Sequence, residues 1–310
     1  MTLASTAMVL ALLGACTRAN TAPPPPAPQN PSPMVELTRE HQRLDSIAPD
    51  GKQFTITGLL SRPIVVFVPK GATGAEATLL VHFNGAPYVA MHAAADQRSP
   101  IVLAAIHLGA GSAVYERAFA ASGTLQRIKA AIADSLAVRF GSDLRLSRTV
   151  LSGFSAGYGA IRAILGWRED AASVYGLLLL DGLHVSYIPD RTPVANGGAI
   201  DTARLAPFVD YARAAATGPA AGRMVVTHSE IFPGTFASTT ETADHLLARL
   251  GLRRTPVLEW GPGGMQLLST VRAGNFLLLG FAGNTAPDHV DHYHGMGAFL
   301  QLLLPSDDTR

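Results

Sequence analysis

From about Gln53 onward, short apolar runs alternate with longer segments in which apolar positions recur every three or four residues. The first pattern is that of strands and the second that of helices lying against a sheet. Their alternation predicts an α/β domain with a mainly parallel sheet flanked by helices. Eight strands are expected, near 54–59, 64–68, 78–83, 101–107, 149–153, 174–181, 224–228 and 276–281. Helices are expected near 88–96, 125–140, 158–167, 202–216 and 239–250, with a last one ending near Leu304. The first two strands are so close in the chain that an antiparallel hairpin is the natural connection.

Two segments fix how these elements pack. Leu125, Ile128, Ile132 and Leu136 fall on one helical face while Arg127, Lys129 and Asp134 point elsewhere, so this helix lies on the sheet. The run Leu177-Leu178-Leu179-Leu180 shows no alternation, as expected of a parallel strand covered on both faces. The stretch from His184 to Arg223, between the sixth and seventh strands, reads as mostly one helix, which leaves room for only a minimal lid.

Ahead of this domain the pattern changes. The apolar stretch Met8-Val9-Leu10-Ala11-Leu12-Leu13 is too short for a membrane-spanning helix of about 20 residues and fits the apolar core of a signal peptide. Leu13-Gly14-Ala15-Cys16 follows, and Cys16 is the only cysteine in the chain. These four residues resemble the lipobox of bacterial lipoproteins. That resemblance implies a signal peptide over 1–15 and a diacylated Cys16 at the mature N-terminus, and Thr17 after the Cys is similar to lipoproteins sent to an outer membrane. Between Thr21 and Pro33 the chain is dominated by proline, which excludes helix and central strand and favours extended polyproline conformations. Residues 16–34 therefore read as a lipidated Cys with a semi-rigid linker, and 35–310 as a single catalytic domain tethered to the cell envelope.

Composition adds exclusions. Of 310 residues, 48% are hydrophobic and 15% charged, enough for one large core. The 24 basic and 23 acidic residues leave a net charge of +1 with no basic block, so nucleic acid is not an expected partner. A lone cysteine has no disulfide partner.

The chemistry concentrates at Val150-Leu151-Ser152-Gly153-Phe154-Ser155-Ala156-Gly157, an apolar run passing into G-x-S-x-G, followed by a helix with Ile161, Ile164 and Leu165 on one face. Glycines flank such a serine because the turn is sharp and packed against neighbouring chain, where side chains would clash. Ser155 is the expected nucleophile. The N–H of Ala156, at the positive end of the helix, is placed to donate to a developing oxyanion. The strand order and the elbow after the fifth strand resemble the α/β-hydrolase superfamily across most of 53–304. The third strand ends in His82-Phe83-Asn84-Gly85-Ala86, similar to that superfamily's oxyanion loop, with Asn84 where His often stands. The resemblance implies Ala86 as the second oxyanion donor.

A hydroxyl needs a general base, and the base an orienting acid. The superfamily places the His after the last strand, where Asp288-His289-Val290-Asp291-His292-Tyr293-His294 offers three candidates. His289 lies nearest the strand end and is preferred, with His292 and then His294 as alternatives. For the acid, Asp181 ends the sixth strand and Glu230 follows the seventh, and Asp181 is preferred because sites in open α/β sheets gather at carboxyl strand ends. The H-x-x-H-x-H spacing also permits a metal reading with Asp288 and Asp291, which the elbow displaces. Gly109-Ala110-Gly111 lacks the third glycine of a dinucleotide fingerprint and reads as a loop, from which Tyr115 or Phe119 would line an acyl pocket. His184 and His228 also follow strands at the same edge.

Three functions follow. The first is hydrolysis of a small-molecule carboxylic ester through an acyl-enzyme on Ser155, requiring no cofactor and no metal. The second applies the same triad to a thioester, amide or peptide. The third is an envelope lipoprotein that binds on a hydrolase scaffold without turnover.

Overall fold

Ten strands form one mixed sheet in the computed structural model, which describes residues 39–72, 76–141, 144–218 and 222–304. Cys16, the expected signal peptide and the proline linker lie outside the described residues. The strands are β1 (Gly51–Ile56), β2 (Ile64–Pro69), β3 (Glu76–Phe83), β4 (Ile101–Ile106), β5 (Arg145–Phe154), β6 (Gly176–Leu180), β9 (Arg223–His228), β10 (Thr255–Trp260), β11 (Gln266–Ala273) and β12 (Phe276–Phe281). A separate two-stranded ribbon pairs β7 (Tyr187–Ile188) with β8 (Ala199–Ile200). The order in the large sheet is β1-β2-β4-β3-β5-β6-β9-β12-β11-β10. β4, β3, β5, β6, β9 and β12 run parallel, and antiparallel strands close both edges.

The helices are α1 (Pro87–Ala95), α2 (Ser112–Ala118), α3 (Thr124–Phe140), α4 (Tyr158–Leu165), α5 (Arg168–Ala172), α6 (Ala206–Thr217), α7 (Thr239–Leu250), α8 (Ala286–His294) and α9 (Met296–Leu303). They cover both faces of the sheet. On one side Leu125, Ile128, Ile132 and Leu136 of α3 are at most 1% exposed and pack with Tyr115, Ile161 and Phe208. On the other, Val89 and Met91 of α1 meet Phe299 and Leu300 of α9. Burying each such side chain stabilises the domain by about 1.5–3 kcal/mol. Leu177 to Leu180, covered from both sides, are wholly buried, as continuous apolarity requires.

All eight expected strands are present, and the sheet has two more. The additional pair, β10 and β11, is a hairpin turned at Gly261-Pro262-Gly263-Gly264 and added to the β12 edge. Three further expectations need correction. The segment between β6 and β9 contains the β7–β8 ribbon and two 3₁₀ turns, Val194–Asn196 and Thr202–Leu205, before α6, not a helix alone. The last helix is two, α8 and α9, broken at Gly295. Residues 112–118 form α2 where a loop was expected, and this turns Tyr115 and Phe119 inward, at 0% and 1% exposure, so they belong to the core and not to an acyl pocket.

Candidate active site

β3, β5 and β6 are neighbours in the sheet, and their carboxyl ends are backbone outliers. Asn84, Ser155 and Asp181 have φ of 70°, 48° and 41°, and only Arg191 joins them among described non-glycine residues with positive φ. Left-handed backbone with a side chain costs on the order of 1–3 kcal/mol, so three cases at adjacent strand ends mark a site where placement of a side chain outweighs strain.

Sterics explain the elbow sequence. A Cβ on Gly157 would lie 2.2 Å from the carbonyl oxygen of Phe83, because the turn after Ser155 presses against the end of β3. A Cβ on Gly182 would lie 2.7 Å from both N and O of Ser155, so the turn after Asp181 passes directly beside that serine. After Ser155 the chain enters a 3₁₀ turn, Ser155–Gly157, and continues as α4. Ala156 N–H heads that helical run, where no intrahelical acceptor exists.

The structure brings His289 and Asp181 together. His289 Nδ1 lies 2.7 Å from Asp181 Oδ2, and since a carboxylate only accepts, Nδ1 carries the proton and Nε2 presents a lone pair. Asp181 is 1% exposed and accepts from three further donors: Ser229 N (2.9 Å) and Thr239 Oγ1 (2.6 Å) at Oδ1, and Ser229 Oγ (2.8 Å) at Oδ2. Burial works to raise its pKa. That effect is outweighed by the proximity of His292, by the hydrogen bond and charge of His289, and by the Thr239 bond, which together hold it far below the usual carboxylate range. A buried, ionised and fully bonded acid of this kind orients an imidazole.

The other candidates are elsewhere. Glu230 is exposed, and its backbone N–H bonds Gly283 O. His292 is 1% exposed and hydrogen-bonds Thr227 Oγ1 through Nδ1 at 2.8 Å, with burial pushing its pKa below the usual value. His294 Nδ1 accepts from Leu44 N at 3.0 Å. The three histidines thus have three different partners and do not converge on one point as metal ligands would. His41, Asp288 and Asp291 do approach one another, but Arg39 pairs with both carboxylates and Arg43 with Asp291, so the two negative charges are already balanced. His228 is buried between Ser229 O and the Arg254 guanidinium, which with burial lowers its pKa to about 4.

Ser155, Asp181 and His289 line one cavity of about 310 Å³. Its apolar wall is Ile231, Pro233, Phe236 and Ala286, and His184 closes another side, with Nδ1 at 2.9 Å from Ala237 O and its ring edge-on to Phe236 at 5.0 Å. The segment after β9 therefore supplies most of the apolar wall. Its signal in the sequence was the Ile231-Phe232-Pro233 run between two polar stretches.

Asn84 has a different task from donation to an oxyanion. Its Nδ2 donates to Phe154 O at 3.1 Å and its Oδ1 accepts from Tyr115 Oη at 3.0 Å, tying the loop after β3 to the residue preceding Ser155. His82 supports the same loop by donating from Nε2 to Asn84 O at 2.7 Å, and burial lowers its pKa to about 4. Tyr293 donates its hydroxyl to Ala86 O at 2.7 Å and stacks on both His82 and Phe154. Ala86 is the N-cap of α1, at the mouth of this loop. Ser229, Thr239 and Tyr293 were not anticipated. Of these only Thr239 carried a local signal, the Ser238-x-x-Glu241 capping box that starts α7 beside Asp181.

Comparison with protein-family models and with curated proteins returns no match for this chain.

Proposed function

We propose that this protein is a serine hydrolase of the α/β-hydrolase kind that cleaves a carboxylic ester. The observation that carries the reading is the 2.7 Å His289–Asp181 pair facing the same cavity as Ser155, whose backbone is held left-handed at a strand-to-helix turn. The arrangement supplies the parts an acyl transfer needs. His289 Nε2 takes the proton of Ser155 Oγ as that oxygen attacks the ester carbonyl carbon. The carbonyl oxygen becomes an oxyanion, for which Ala86 N–H and Ala156 N–H are the donors. Collapse expels the alcohol, which receives the proton from His289 and leaves the acyl group on Ser155. Water activated by His289 then releases a carboxylic acid and restores the serine. Asp181 stays ionised throughout and stabilises the imidazolium.

The α/β-hydrolase assignment has support in the strand order. With β10 and β11 set aside, the remaining strands run 1-2-4-3-5-6-7-8 when renumbered, with the nucleophile after the fifth and the base after the last. On this reading the β10–β11 hairpin is an addition to the edge. The apolar cavity wall favours an acyl group without charge, and the same chemistry extends to thioesters. A scaffold retained only for binding would have no use for a buried acid oriented on a histidine at the elbow.

We also infer that the domain is held at a bacterial envelope by lipid on Cys16, on the strength of the Leu13–Cys16 sequence and the proline-rich linker. One experiment reads both claims: cells expressing wild type, Ser155→Ala or Cys16→Ser are fractionated and treated with a fluorophosphonate probe. Expected is a labelled band in the membrane fraction for wild type, none for Ser155→Ala, and a labelled soluble band for Cys16→Ser. An unlabelled wild type, or equal labelling of Ser155→Ala, refutes the hydrolase reading; Cys16→Ser remaining with membranes refutes the anchor.

A further inference from the structure

Helix α8 has two working faces. His289, His292 and Tyr293 share one, which meets the site through Asp181, Thr227 and Ala86 O respectively. Asp288, Asp291 and His294 lie on the other, as the three- and four-residue spacing dictates. That second face is gripped along its length by the first described residues of the chain. Arg39 pairs with Asp288 and Asp291, Arg43 pairs with Asp291 and donates to Pro287 O at 3.1 Å, His41 Nδ1 lies 2.8 Å from Asp291, and Leu44 N donates to His294 Nδ1 at 3.0 Å. Both carboxylates are 2% exposed at the side chain and Arg39 is 9% exposed, so these pairs are held in a site that water screens little. Asp288 also closes the capping box that starts α8, accepting from Thr285 N and Oγ1 one residue before His289.

We propose that Arg39 and Arg43 are positioning residues for His289: the segment that joins the linker to the domain clamps the outer face of α8 and so fixes its inner face on Ser155, Asp181 and the oxyanion loop. The inference rests on the hydrolase reading. A helix held from one side only can slide or tilt, and general-base catalysis is sensitive to such displacement, because proton transfer requires Nε2 within hydrogen-bond reach of the attacking hydroxyl. Most of the apolar cavity wall, Ile231, Pro233 and Phe236, comes from the segment after β9, which the clamp does not touch, and only Ala286 belongs to α8. The clamp should therefore act on kcat and leave KM nearly unchanged.

The test uses full-length wild type, Arg39→Ala, Arg43→Ala and Arg43→Lys, with near-ultraviolet circular dichroism to confirm the fold at the assay temperature. Steady-state hydrolysis of p-nitrophenyl acetate gives kcat and KM, and the fluorophosphonate labelling rate reports on Ser155 directly. Each alanine variant should lose at least tenfold in kcat and in labelling rate with KM within twofold, and Arg43→Lys should recover part of the loss. Arg43 is one-third exposed, so its alanine variant carries the test if Arg39→Ala does not fold. Folded alanine variants with wild-type kcat and labelling rate overturn the inference alone, and so does a loss confined to KM. A wild type that neither hydrolyses nor labels overturns the hydrolase reading and the inference with it.

Discussion

Replacing Asp181 by Asn separates orientation of His289 from the folding of its surroundings. The four donors around Asp181 respond differently to an amide. Ser229 N–H and Thr239 Oγ1 both point at Oδ1, and a backbone N–H cannot reverse, so the amide oxygen must take that position. The amide NH₂ then stands at Oδ2, facing Ser229 Oγ and His289 Nδ1. The serine hydroxyl can rotate and accept. The imidazole can accept only if Nδ1 gives up its proton, which moves the proton to Nε2 and removes the lone pair that serves as base. Since hydrogen bonds to a charged group contribute about 1.5–3 kcal/mol, and the substituted network remains bonded, the fold should lose no more than about 3 kcal/mol. The rate should fall by about 10⁴, the scale of a wrong tautomer in a Ser-His-Asp triad, or about 5 kcal/mol of barrier. Ester hydrolysis and the fluorophosphonate labelling rate measure the second quantity, and urea melts the first. A folded Asp181→Asn protein within tenfold of wild-type rate would refute the claim that Asp181 orients the base.

Two other outcomes follow from the packing. Gly157→Ala puts a Cβ 2.2 Å from the carbonyl oxygen of Phe83 and should cost about 1–3 kcal/mol or more in urea melts and abolish labelling, while Gly71→Ala, with nothing within 4 Å, should be neutral; equal melts for the two would sink the steric account of the elbow. Stability should fall as pH drops from about 6.5 to about 4, because burial depresses the pKa of His82 and His228 to about 4 and lowers those of His184 and His292. The unfolded chain then binds protons that the folded chain refuses, at up to about 3 kcal/mol for each of the first two, whereas the Asp181 contribution is largely retained across this window because the ordinary carboxylate value of 3.8, at which the unfolded chain begins to take up that proton, lies below it. A urea midpoint unchanged between pH 7 and pH 4.5 would contradict this.

The parallel strands were legible because each is buried on both faces and so reads as an unbroken apolar run, as at Leu177–Leu180. The β10–β11 hairpin was not, for the opposite reason. It lies at the sheet edge, where Leu258 and Trp260 remain 74% exposed and Pro256 sits within the strand, so neither burial nor alternation marks it. Its one clear sign was the glycine-proline turn between the two segments. Tyr115 and Phe119 were misread because Gly109 and Gly111 suggested a loop, and the helix that follows them is short and shows its apolar residues only once packed on Phe83.

The choice among the three histidines turns on helical phase, which residue type does not carry. Thr285-x-x-Asp288 with Pro287 is a helix start, and the observed capping box sets its phase. Counting from there, His289, His292 and Tyr293 face the sheet and His294 faces away, which removes His294 from contention as a base. Depth separates the other two. Three residues further along the helix than His289, His292 is carried behind the acid onto Thr227, where it is sealed at 1% exposure, whereas the His289 side chain is 25% exposed to the cavity. A base must meet both its acid and its substrate, so a histidine near the first turn, at the boundary between strand end and solvent, can serve, and one sealed beneath it cannot.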